Sequence, residues 1–340
     1  MTSFDWIASE SGPKHYPVKI VSGNFELEQG GSTYVPSGVY LDTIRWGDFR
    51  STHLSGPDGK SLPTKLNITF FSYLEDKFYQ GTFDLPYEDI LLHFQTPYYS
   101  SKEGKERRPD RIVVGVSPGG GVAVWLRGFE KNTQVFYGKA KVIDFAWSSF
   151  TQSDEPRAQY VGELVEETLG VEGYAKFLKS GIDLSKWDNF QTRYHWQLEL
   201  ITENRVPKIV PEIHFVNGET DQMFYPESEE LKNSQRAIPN FLYYFWRSPE
   251  GEPRKMKWYF DVKEITAAFE QIEAVKPSSI ESPIFLTIQT FETETGRKYA
   301  LAVQRQREEG NEVIYLKKST LESYLATDRK DGINFYLDDE

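Results

Sequence analysis

The residues with the clearest chemical signature are Gly115-Val116-Ser117-Pro118-Gly119, which fit the Gly-x-Ser-x-Gly pattern of a serine-hydrolase nucleophile elbow. In that elbow a strand turns sharply into a helix, and the backbone N–H after the serine helps to hold the oxyanion. Here Ser117 is followed by Pro118, which has no N–H to offer, then by Gly119-Gly120-Gly121 and the strand-like Val122-Ala123-Val124-Trp125. The spacing predicts a hairpin turn whose glycines supply positive φ, with hydrolysis through Ser117 as the alternative. The same glycines make no phosphate cradle, because neither the Lys-Ser/Thr of a P-loop nor a helix follows them.

Other chemistries are narrowed in the same way. The chain has 0 Cys, which excludes disulfides, thiolate metal sites and cysteine nucleophiles. His15, His53, His93, His195 and His214 are scattered, with no His-Glu-x-x-His pair to set two ligands on one helix face, so no metal is expected. His93, beside Phe94, reads as a half-buried structural residue. Asp328-Arg329-Lys330-Asp331-Gly332 departs from a calcium loop, with Lys at the second ligand position and no closing Glu. Among 51 acidic residues a carboxylate pair suited to glycoside hydrolysis stays open, since spacing along the chain selects none. No cofactor is implied.

Charge and composition bear on partners. The 39 basic and 51 acidic residues give a net charge of -12, which repels nucleic acid and attracts a basic partner. Aromatics are 15% of the 340 residues, a proportion that favours strands and wet interfaces. Trp46, Trp125, Trp147, Trp187, Trp196 and Trp246 read mainly as core or seam residues, and any exposed ones as interface anchors. No stretch approaches the roughly 20 apolar residues of a membrane span, and residues 1–10 lack the features of a signal peptide. The expected location is cytoplasmic as written, or periplasmic if a leader has been removed.

The elements that must position these residues fall into two halves. Sliding the chain against itself by 176 to 178 positions sets Tyr16, Val18 and Ile20 on Tyr194, Trp196 and Leu198. It sets Pro63, Leu66, Ile68 and Phe70 on Pro239, Leu242, Tyr244 and Trp246, alternating runs that predict strands. Phe83-Asp84 meets Phe260-Asp261, each Asp being a candidate N-cap for a short helix carrying Ile90 and Phe94 or Ile265 and Phe269. Hairpin patterns follow at residues 112–126 and 284–303, then Val135-Phe136-Tyr137 and Val313-Ile314-Tyr315. Between the halves, Ser153-Asp154-Glu155-Pro156 opens a helical segment bearing Val161, Leu164 and Val165, with Glu163, Glu166 and Glu167 on its wet face. The expected class is α+β and β-rich: residues 1–150 a first repeat, 151–185 a helical bridge, 186–327 a second repeat, and 328–340 a polar tail.

Phe4-Asp5-Trp6, Pro13 with Tyr16-Pro17-Val18, Leu62-Pro63 with Leu66 and Ile68, Phe78-Tyr79-Gln80-Gly81-Thr82-Phe83-Asp84-Leu85-Pro86, and residues 113–120 through Val124-Trp125 carry a resemblance. As a set they resemble the bacterial family called domain of unknown function 2931, most densely over residues 4–145. That resemblance implies no catalytic residues. Its members commonly accompany type VI secretion effectors, notably phospholipases, and are taken to be immunity proteins. Many relatives look like periplasmic lipoproteins with a signal and a lipid-bearing Cys, and this chain departs from them in having neither.

The expectation is therefore a non-enzymatic protein that blocks the active site or membrane-docking face of a lipase-like cognate effector. Expected contacts lie at hairpin turns: Asp76 and Lys77; Pro118, Gly119, Gly120 and Gly121; and Glu250, Gly251 and Glu252. The other readings are a hydrolase using Ser117 or a carboxylate pair, and an envelope- or carbohydrate-binding module.

Overall fold

The computed structural model of the chain describes residues 3–42, 45–51, 59–201, 209–224, 227–247, 253–293, 296–306, 310 and 312–325. From the N-terminus it forms β1 (Ile7–Ser11), β2 (Val18–Leu27), β3 (Ser32–Tyr34), β4 (Tyr40–Leu41), β5 (Pro63–Ser72), β6 (Lys77–Asp84), α1 (Tyr87–Gln95), β7 (Tyr98–Ser100) and β8 (Lys105–Arg107). There follow β9 (Arg111–Ser117), β10 (Gly121–Gly128), β11 (Lys131–Lys139), β12 (Lys141–Ile143), α2 (Trp147–Phe150), α3 (Arg157–Ser180) and α4 (Lys186–Asn189). The rest is β13 (Tyr194–Ile201), β14 (Ile209–Phe215), β15 (Thr220–Phe224), α5 (Glu229–Asn233), β16 (Gln235–Arg236), β17 (Pro239–Arg247), β18 (Pro253–Tyr259), α6 (Val262–Val275), β19 (Ile284–Thr293), β20 (Gly296–Arg305), β21 (Glu312–Tyr315) and β22 (Thr320–Leu325). Strand predominates over helix, and the class is α+β.

Two compact units result. The first holds Met1–Tyr99, Glu106–Asn189 and Asn217–Glu219, and the second Ser100–Lys105, Phe190–Val216 and Thr220–Glu340. In the first unit one sheet runs β12-β6-β5-β2-β3, with β4 also on β2. In the other, β1 lies parallel to β9, and β9, β10 and β11 follow antiparallel. The alternation in β5 explains the packing. Leu66, Ile68 and Phe70 face a core shared with Val114, Val124, Trp6, Ile90 and Phe94. Phe71 on the opposite face joins Tyr73, Phe78, Phe150, Val161 and Val165 in a second cluster, so α3 packs within the first unit.

In the second unit β13 lies parallel to β19, and β19, β20 and β21 follow antiparallel. Its other sheet runs β15-β14-β17-β18-β22. Trp196, Leu242, Tyr244, Ile265, Phe269, Leu286 and Val303 are buried there.

Several local expectations are corrected. The first proposed match sets residues of β2 on residues of β13, yet β2 pairs antiparallel with β5 while β13 pairs in parallel with β19. Asp261 does cap α6, its side chain accepting from the N–H of Glu264 at 2.8 Å. Asp84 does not cap α1: that helix starts at Tyr87 with Pro86 at the cap position and no side-chain cap. Likewise α3 starts behind Pro156 without a side-chain cap, and it is broken at Gly170, whose φ of 68° suits only glycine.

Candidate partner-binding face

The turn between β5 and β6 is built on Asp76, which adopts φ 51°, a left-handed conformation that Asp tolerates. Asp76 and Lys77 are exposed at its tip, and Glu75 beside them is half-buried. The second turn, between β9 and β10, is the 3-10 segment Pro118–Gly120. Gly119 and Gly120 have φ of 75° and 79°. A Cβ on Gly120 would lie 2.6 Å from the carbonyl oxygen of Ala140, so both backbone shape and space demand glycine there.

Glu75 brings the two turns together. One carboxylate oxygen accepts from the Tyr79 hydroxyl at 2.7 Å and the other from the N–H of Gly119 at 2.8 Å. Burial, and then the neighbouring Glu75 carboxylate, push the Tyr79 phenol well above its ordinary value, so Tyr79 stays a donor. Lys139 Nζ donates to the carbonyl of Gly119 at 3.0 Å and pairs with Asp188 at 2.8 Å. Asp188 also accepts from the Tyr137 hydroxyl at 2.6 Å. At the other edge Arg157 donates to the Asp76 side chain at 2.7 Å and to its carbonyl at 2.9 Å. The Arg157 guanidinium also stacks on Phe71, Phe78 and Trp147 at 5.0–5.5 Å. The result is a rim of both charge signs in which Glu75, Asp76, Lys139, Arg157 and Asp188 are each held by hydrogen bonds or ion pairs.

Of the expected contact residues, the structure thus unites Asp76 and Lys77 with Gly119. Pro118, Gly120 and Gly121 are buried and serve as the support of the turn. Glu250, Gly251 and Glu252 lie outside the described residues, as do His53 and residues 328–332. Ser117 is fully buried at the end of β9, its Oγ 3.4 Å from the carbonyl of Pro118, and the chain runs on into β10. Among the described residues, no group of three or more His, Asp or Glu could hold a metal ion. No helix among them is long and apolar enough to cross a membrane. Sequence reasoning missed Glu75, Tyr137, Lys139, Arg157 and Asp188. Tyr137 and Lys139 sit two apart on a strand and so share a face, but nothing in the spacing tells that Glu75 and Asp188 approach them.

The chain matches the family described as Protein of unknown function (DUF2931) over residues 1–174. No curated protein and no solved structure matches it significantly. The matched stretch is just over half of the 340 residues and holds Trp6, both linked turns and most of α3. This chain belongs to the DUF2931 family.

Proposed function

We propose that this protein is a binding module that neutralises a cognate secreted effector, a phospholipase delivered by type VI secretion, by covering its active-site mouth or membrane-docking face. The observation that carries the reading is the Glu75 carboxylate tying two hairpin turns into one pre-set charged rim. A surface ordered in advance loses little entropy on docking, which favours tight one-to-one inhibition. The net charge of -12 supports encounter with a basic effector surface. The burial of Ser117 favours a turn over a nucleophile.

The same reading takes the two units as copies of one fold. In each, a tryptophan indole donates to a carbonyl two residues ahead of a strand-opening proline: Trp6 to Ser61 at 3.3 Å before Pro63, and Trp196 to Ala237 at 3.0 Å before Pro239. Lys60 lies over Trp6 at 5.0 Å and Arg236 over Trp196 at 4.1 Å. Phe4 packs on Phe94, and Tyr194 on Phe269. These correspondences support a duplication in which β1 answers to β13.

The test is inhibition of the purified lipase-like effector by this protein. Stoichiometric inhibition is expected, and an Asp76→Lys/Lys77→Glu double variant should bind at least tenfold more weakly. A protein that neither binds nor inhibits that effector refutes the neutralising role. Full inhibition by the double variant moves the contact away from this rim.

A further inference from the structure

Helix α3 carries opposite charges on its two halves. Gly170, with φ 68° and ψ 167°, breaks the helix, so residues 157–169 and 171–180 are two segments. In the first, Val161 and Val165 are buried, while Glu163 and Glu166, three apart on the opposite face, are exposed. In the second, Tyr174 and Phe177 pack against the aromatic cluster of Phe71 and Phe150, while Lys176 and Lys179 are exposed.

The second segment also leaves apolar side chains in the open. Val171 and Leu178 stand two turns apart along one stripe of the helix and are 74% and 67% exposed, so no described residue covers either. Lys179 borders that stripe, next to Leu178 in the chain. Gln159 Nε2 donates to Glu163 at 2.9 Å, and among the described residues Glu166, Lys176 and Lys179 have no ion-pair partner.

The charges are spaced evenly about Val171. Glu163 and Lys179 lie eight residues before and after it, and Glu166 and Lys176 five before and after. When two copies of α3 are laid antiparallel about a two-fold axis beside Val171, each Glu163 therefore faces Lys179 of the second copy, and each Glu166 faces its Lys176. A parallel alignment would set glutamate against glutamate and lysine against lysine. The break at Gly170 leaves this match intact, because a two-fold axis along the difference of the two segment directions turns each segment antiparallel to the other segment of its mate at any bend angle. Gly170 itself has nothing within 4 Å of an added Cβ, so a second backbone can approach closely there.

We infer that two copies of this chain associate through α3 in this antiparallel, two-fold arrangement. The occupant is a second copy because the two segments complement each other in charge and the same residues serve on both sides of the axis. Exposed ion pairs add little affinity and chiefly set the partner and its direction. The association itself comes from removing Val171 and Leu178 of both copies from water. It needs no effector and stands apart from the neutralising role.

Sedimentation equilibrium of the purified full chain over a concentration series tests it. The parent should pass from monomer to dimer as its concentration rises, and added salt should weaken the dimer. Val171→Asp and Leu178→Asp, both at exposed positions and so expected to keep the urea midpoint of the parent, should each raise the dimer dissociation constant at least tenfold. Lys176→Glu/Lys179→Glu and Glu163→Lys/Glu166→Lys each set like charges face to face and should stay monomeric alone. An equimolar mixture of those two variants restores every opposite-charge pair and should give a dimer containing one of each. A parent that is monomeric at every concentration, a dimer unaffected by either Asp substitution, or a mixture of the charge variants that does not associate overturns the inference.

Discussion

Lys60 and Arg236 each lie over a tryptophan whose indole donates to the carbonyl of the residue after the cation, and Arg236 also pairs with the buried Glu227 carboxylate at 2.9 Å. Glu227 spans the edge of β13, since its other oxygen accepts from the N–H of Leu198 at 2.7 Å. Arg236 in turn donates to the Trp196 carbonyl. Arg236 therefore adds a buried ion pair to its contact with the Trp196 ring.

Arg236→Met should cost about 3–5 kcal/mol, because it strands the Glu227 carboxylate in a buried site. Burial already pushes the Glu227 carboxyl up, against the pull of Arg236. Without Arg236 it rises further, so the Arg236→Met deficit should shrink as the pH is lowered and Glu227 takes a proton. Urea unfolding of the variant at two pH values measures the change. A deficit equal at both pH values would show that a stranded Glu227 carboxylate is not its cause.

Glu212 should protect the second unit in acid. Burial alone would raise its carboxyl, but contacts with His214 and with Lys102 at 3.2 Å more than offset that and hold it at about 2, against an ordinary 4.5. A depressed carboxyl stabilises the fold above the unfolded value and loses that contribution as the pH falls through the folded one. At about 1.4 kcal/mol per pH unit, the advantage over Glu212→Gln is up to about 3 kcal/mol at pH 5 and should vanish towards pH 2. A gap that stays constant between pH 5 and 2 would refute it.

How much of this was legible in the sequence depends on the range of the interaction. Period-two runs such as Leu66, Ile68 and Phe70 gave their strands correctly, because alternation reports burial on one face. The glycine turn after Ser117 followed from local backbone rules. The first repeat match failed because Val18 and Trp196 share an alternating pattern, and alternation does not tell a strand paired in parallel from one paired antiparallel. On the proposed reading of the units as copies, Trp6 takes the place of Trp196 at a separation of 190 positions rather than 178, which a fixed offset passes over. The Glu75 link escaped notice for a different reason: its partner Gly119 is 44 residues distant, and the bond runs to a backbone N–H that has no sequence signature.

Two glycines separate backbone conformation from crowding. Gly30 has φ 87° with nothing within 4 Å of an added Cβ, so Gly30→Ala should cost about 1–2 kcal/mol for the left-handed backbone alone. Gly120→Ala carries the same backbone cost, with its Cβ 2.6 Å from the Ala140 carbonyl oxygen and 3.0 Å from the Tyr79 ring. Overpacking of that kind adds about 1–3 kcal/mol. Thermal unfolding should show Gly120→Ala the less stable by that margin, and equal melting temperatures would mean that the turn moves freely away from Ala140.

Glu75→Gln keeps the shape of the side chain while removing one of its two acceptors. Gln has a single amide oxygen, so either the Tyr79 hydroxyl or the N–H of Gly119 must face an NH2 donor. An unmade hydrogen bond at a half-buried site costs about 1–3 kcal/mol. The Tyr79 phenol loses the carboxylate that helps to hold it up, so its ionisation should move to lower pH, which ultraviolet titration reads directly. Burial, the larger cause, remains, and the phenol should still titrate above an ordinary tyrosine. The turn at Asp76 and Lys77 would then be supported by Arg157 alone among these links, and effector binding should weaken more than stability does. Unchanged Tyr79 titration together with unchanged binding would show that the Glu75 bridge organises neither turn.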